Sequence, residues 1–78
     1  MARLNTVNVV TNLEYGIRVH SFTDDDEGNN QADELFKRIV REEVENAEET
    51  ITEDELEDAV CDGIWCRDMN TVVITHSA

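Results

Sequence analysis

The segment Thr6-Val7-Asn8-Val9-Val10-Thr11 is rich in β-branched residues and alternates, placing Val7, Val9 and Thr11 on one side of an extended chain. Ile17-Arg18-Val19-His20-Ser21-Phe22 alternates in the same way. Ile17, Val19 and Ser21 share one face, and Arg18, His20 and Phe22 share the other. Between the two runs, Asn12-Leu13-Glu14-Tyr15-Gly16 reads as a connection, with Gly16 able to take positive φ. The two strands are expected to pair as a hairpin.

After a polar stretch from Thr23 to Asn30 the period changes. Ala32, Leu35, Phe36, Ile39, Val40, Val44 and Ala47 follow one another in steps of three and four, which lays an apolar core stripe along a helix from Gln31 to about Glu49. Asn29 or Asn30 can cap this helix, and Asp33 and Glu34 suit its positive end. Thr52-Glu53-Asp54-Glu55 has the capping-box spacing and predicts a second helix from about Glu53 to Asp62. Leu56, Ala59 and Val60 face inward on it, and Gly63 ends it. Ile64-Trp65-Cys66-Arg67 and Thr71-Val72-Val73-Ile74-Thr75-His76 read as extended, with Asp68-Met69-Asn70 as a three-residue hairpin loop. The expected fold is α+β: an antiparallel sheet of three to four strands with two helices on one face, in the order ββαα followed by one or two strands. Residues 1–78 make one domain.

Charge changes this picture most. The net charge is −13, and it is unevenly placed. Residues 24–62 hold seventeen of the nineteen acids against Lys37, Arg38 and Arg41, a net −14; the rest sets Glu14 and Asp68 against Arg3, Arg18 and Arg67, a net +1. The near-neutral parts are the expected strands, and the acidic part is a loop and two helices. Such a charge disfavours direct contact with nucleic acid or an anionic membrane. No run approaches the ~18 apolar residues of a membrane span, and residues 1–5 carry no apolar leader, so a soluble, cytoplasmic protein is expected. The 40% apolar fraction is enough for a core.

On the first helix Glu42, Glu43, Glu45, Glu48 and Glu49 crowd the C-terminal half, where like charges oppose the helix dipole and repel one another. The second helix adds Glu53, Asp54, Glu55, Glu57 and Asp58. A solubilising surface is one account. The sharper account is a face that offers carboxylates to a basic partner. Carboxylates ~5–6 Å apart on a helix approach, without matching, the charge of duplex DNA, one per ~1.7 Å of axis.

In size, charge and element order, over its whole length, the chain resembles small acidic phage-encoded anti-defence inhibitors, the anti-CRISPR proteins and other DNA mimics. The resemblance implies a host protein or ribonucleoprotein complex as partner, blocked at a lysine- and arginine-lined surface that receives nucleic acid. From the residues themselves, the expected contacts are Glu42, Glu45, Glu48, Glu49, Glu53, Asp54, Glu57 and Asp58.

Other chemistries are weaker. Thr23–Glu34 aligns with a calcium loop, Asp25 at position three, Glu27 at five, Gly28 at six and Glu34 at twelve, but Thr23 stands where an Asp is needed. Cys61, Cys66, His20 and His76 have no zinc spacing, and the two cysteines read as small, partly buried thiols rather than a disulfide. No acid sits in an apolar run and no nucleophile motif occurs, so neither catalysis nor a cofactor is expected. The main expectation is a non-catalytic inhibitor. The alternatives are an assembly domain, monomeric or homodimeric through a sheet edge or Trp65, and a weak calcium-binding module.

Overall fold

The computed structural model describes residues 5–14 and 16–77. Residues 1–4, part of the segment expected to carry no leader, and Tyr15 of the expected connection lie outside the described residues. Six elements follow one another: β1 (Thr6–Leu13), β2 (Gly16–Thr23), α1 (Asp26–Asn46), α2 (Glu53–Asp62), β3 (Ile64–Arg67) and β4 (Asn70–Ser77). The strands form one antiparallel sheet in the order β2-β1-β4-β3. The α+β class, the ββαα order and both trailing strands agree with the sequence expectation.

β1 is hydrogen-bonded along both edges, to β2 and to β4, and supplies the sheet's buried centre. Val7, Val9, Thr11 and Leu13, all on its inward face, are buried. Val7 and Val9 meet Ala32, Phe36, Val40 and Val44 of α1, Leu56 of α2 and Val72 of β4. α1 packs on β1, β2 and β4, while α2 packs on α1 and β3, so both helices cover the same side of the sheet. Alternation puts Phe22, Trp65 and Ile74 on that side, packed against the core. Trp65, one of the two dimer contacts of the assembly-domain alternative, is therefore half-buried beneath the helices.

The element ends differ from expectation, each for a local reason. β1 runs on to Leu13 and β2 starts at Gly16, and these two residues pair with each other. Likewise Arg67 pairs with Asn70, so Asp68 and Met69 alone turn the chain, Asp68 at φ 52°. α1 begins at Asp26, not Gln31, and Asp25, not Asn29 or Asn30, caps it. Asp25 Oδ1 accepts the Gly28 N–H at 2.7 Å, and Asp26 and Glu27 occupy the positive first turn, leaving Asp33 and Glu34 well inside the helix. Gly28 is required here, because a Cβ would lie 1.6 Å from the Thr23 carbonyl oxygen. The segment aligned with a calcium loop is thus mostly helix, with Gly28 packed on Thr23 instead of turning a ligand loop.

α1 ends at Asn46, so Ala47 is exposed rather than part of the stripe, and Glu48 and Glu49 stand beyond the helix. The Glu49 N–H donates to Val44 O at 3.0 Å and the Glu48 N–H to Glu45 O at 2.9 Å. That double bond pattern is a Schellman turn, and its left-handed residue is Glu48 at φ 60°. α2 follows its sequence signature. Thr52 Oγ1 accepts the Glu55 N–H at 3.2 Å, Glu55 answers the Thr52 N–H, and Gly63 closes the helix at φ 73°.

Candidate acidic partner-binding face

The two helices lie side by side, and two ion pairs stitch them: Lys37 to Glu57, and Arg41 to Glu53 at 2.6 Å. Position 37 faces 57 while 41 faces 53, so the helices run antiparallel along this seam. Lys37 is held above the ordinary lysine range, chiefly by its hydrogen bond to Glu57. A third pair joins Glu49 to Arg67 and ties the loop between the helices to β3. The Arg67 hydrogen bond holds the Glu49 carboxyl below its usual range.

These pairs divide the eight expected contact residues into two groups. Glu49, Glu53 and Glu57 are exposed but already ion-paired within the chain. Glu42, Glu45, Glu48, Asp54 and Asp58 are exposed and have no ion pair among the described residues. With Phe36, Val40 and Val44 turned to the core, the ~100° step per residue sends Glu42 outward and Glu45 to the side of the α2 seam. With Leu56 inward, Asp54 and Asp58 point away from the sheet. Arg38 shares the outward side of α1 one turn before Glu42, so the uncompensated acid is concentrated in the C-terminal half of α1 and along α2.

No basic residue occupies the last turn of either helix. Glu43 and Glu45 stand there on α1, each opposing the negative end of the helix dipole by roughly 0.3–1 kcal/mol. Glu48 adds a left-handed backbone, which costs a non-glycine residue about 1 kcal/mol. Elsewhere Asp33, one turn before Lys37 on α1, is pushed above the usual carboxylate range by burial. Asp24 is held below it, chiefly by the Asn29 side-chain amide at 2.8 Å and also by His76 at 3.4 Å.

The remaining candidates do not assemble. Among the described residues no three histidines, cysteines or acids are placed to share a metal ion. Cys61 and Cys66 are free and exposed, not partly buried: one lies on the outer turn of α2, the other on the sheet surface the helices leave uncovered. A concavity of about 950 Å³ is an open trough along the outer side of α1 and β2, lined by Glu34, Arg38 and His20 among others. No helix among the described residues is long and apolar enough to cross a membrane.

One surface was missed in sequence reasoning. The sheet side away from the helices carries the row Val19–Val10–Val73–Ile64, one residue from each strand, directly paired across the sheet. Ser21, Asn8 and Thr75 flank it on one side, and Ile17, Asn12, Thr71 and Cys66 on the other. None of these residues is charged. The signal was present in the alternation of Ile17, Val19 and Ser21, but alternation does not say which side the helices take.

Comparison with protein-family models, with curated proteins and with solved structures finds no match to this chain.

Proposed function

We propose that this protein is a non-catalytic, protein-binding inhibitor of the DNA-mimic type, similar in kind to anti-CRISPR proteins. Its α1–α2 face docks on a basic, nucleic-acid-binding surface of a host protein or ribonucleoprotein complex. The observation that carries this reading is the placement of acid where it costs stability. Glu45 opposes the dipole of its own helix, and Glu48 occupies a left-handed position that glycine fills more easily. Solubility alone needs charge only somewhere on the surface. Five carboxylates with no ion pair among the described residues, grouped on two adjacent helices and the turn after the first, suit a partner that brings its own arginines and lysines.

In this reading Glu42, Glu45, Glu48, Asp54 and Asp58 accept hydrogen bonds from the partner. Glu49, Glu53 and Glu57 hold the face in shape through Arg67, Arg41 and Lys37. Association is fast and weakens with salt, since the interacting charges are exposed and screened over ~8 Å at physiological ionic strength. The test is capture from a host lysate on the immobilised protein, at low and high salt, with mass spectrometry of what is retained. A nucleic-acid-binding protein should be captured, released by salt or competing DNA, and lost to the E42K/E45K/D58K variant. Retention of the same partner by that triple variant would refute the reading.

A further inference from the structure

We infer that the uncovered side of the sheet is a self-association surface, on which a second copy of this chain packs sheet against sheet. Three observations carry this, and none depends on the acidic face. The first is the absence of charge. In a chain of net charge −13, the row Val19–Val10–Val73–Ile64 and both flanking rows contain no acid and no base. Val19 and Ile64 are 59% and 50% exposed, and neighbouring Ile17 is 70% exposed, so the apolar surface is open to a partner.

The second is that key polar groups on this side are satisfied in the plane of the sheet. Ser21 Oγ donates to Asn8 Oδ1 at 2.6 Å, and Asn8 Nδ2 donates to Ser77 Oγ at 3.2 Å. Burying Asn8 and Ser21 under another sheet therefore strands no donor or acceptor of that network, and the usual penalty of covering an amide does not arise at Asn8.

The third is geometry. A two-fold axis along the apolar row lays that row on itself, Val10 opposite Val10 and Val73 opposite Val73, and sets the Asn8 row against the Asn12 row. Aligned sheets pack ~10 Å apart, so the two acidic helical layers end up ~30 Å apart, beyond the ~8 Å screening length. Like charge thus falls on the outside of the pair and does not oppose it. Three strands ~26 Å long and the four-residue β3 of ~13 Å, at ~4.8 Å spacing, give about 440 Å² per copy and ~900 Å² in total, the size of a weak, reversible interface. A reversible dimer with Kd in the micromolar range is expected.

Sedimentation velocity on the intact protein tests this, from about 1 to 100 µM. Expected is a concentration-dependent shift toward twice the 8.9 kDa chain mass, strengthened by added salt. Val19→Lys, at an exposed edge position, should hold the protein monomeric with an unchanged circular dichroism spectrum. Methyl resonances of Val10, Val73 and Ile64 should shift on dilution of the native protein. A monomer throughout that range at high salt overturns the inference, as does a dimer that V19K leaves intact. Dilution shifts confined to the backbone amides of β2 would mean edge-to-edge pairing and overturn it equally. Docking of the acidic face weakens with salt whereas this association strengthens, so the two readings fail separately.

Discussion

Glu48 concentrates the conflict between folding and presentation in one residue. Its φ of 60° closes α1, and its carboxylate adds to a helix end already rich in acid. Glu48→Gly should therefore stabilise the fold by about 1 kcal/mol, which raises Tm by roughly 4–8 °C in a domain of this size. The same change should weaken partner capture; a variant with unchanged Tm would mean the left-handed turn carries no strain. Gly28 behaves oppositely. With the Thr23 carbonyl 1.6 Å from where a Cβ would stand, Gly28→Ala should cost about 2 kcal/mol or more, read as a lowered midpoint in urea. Asp24 gives a pH signature. Its folded pKa lies below the ordinary 3.8, so its contribution is full above that value and is lost as pH falls through the lower folded value. Asp24→Asn should lower Tm at pH 6 and converge with the native protein at the acid end. A constant difference at every pH would rule the carboxylate out as the cause.

At the level of elements, α2 is the weak unit. It buries only Leu56 completely, and its seam with α1 consists of exposed ion pairs worth little each. Leu56→Ala removes that anchor at a cost of about 2–5 kcal/mol. Hydrogen exchange should then show amides of α2 losing protection ahead of those of β1 and β4; uniform loss would mean the helices and sheet open together. The elements were largely legible from the chain, and their boundaries were not. Steps of three and four through Phe36, Val40 and Val44 mark α1, and Thr52 with Glu55 marks the start of α2. The end of α1 was hidden because Glu48 does a glycine's work. Its start was hidden because Asp25, Asp26 and Gly28 look like a loop until the Thr23 carbonyl is seen beneath Gly28. β1 pairing with β4, some sixty residues on, has no local signature at all. Nor could spacing show that Lys37, Arg41 and Arg67 would take up Glu57, Glu53 and Glu49, which leaves five of the eight expected contact residues with no ion pair among the described residues.

For the whole molecule, self-repulsion is the dominant electrostatic fact. A net −14 over residues 24–62 should make the fold salt-sensitive, with Tm rising between low and physiological ionic strength as that repulsion is screened. A Tm indifferent to salt would mean that the ion pairs across the α1–α2 seam already offset it. The division into an acidic helical layer and an uncharged sheet surface has one more result. The centre of charge is displaced toward the helices from the centre of mass, by roughly half of a ~10 Å layer spacing. For a net charge of −13 this makes a molecular moment on the order of a few hundred debye, against about 3.5 debye for a single peptide unit. A single chain drifting in the field of a positively charged body is turned by that torque before it touches, and it arrives helices first.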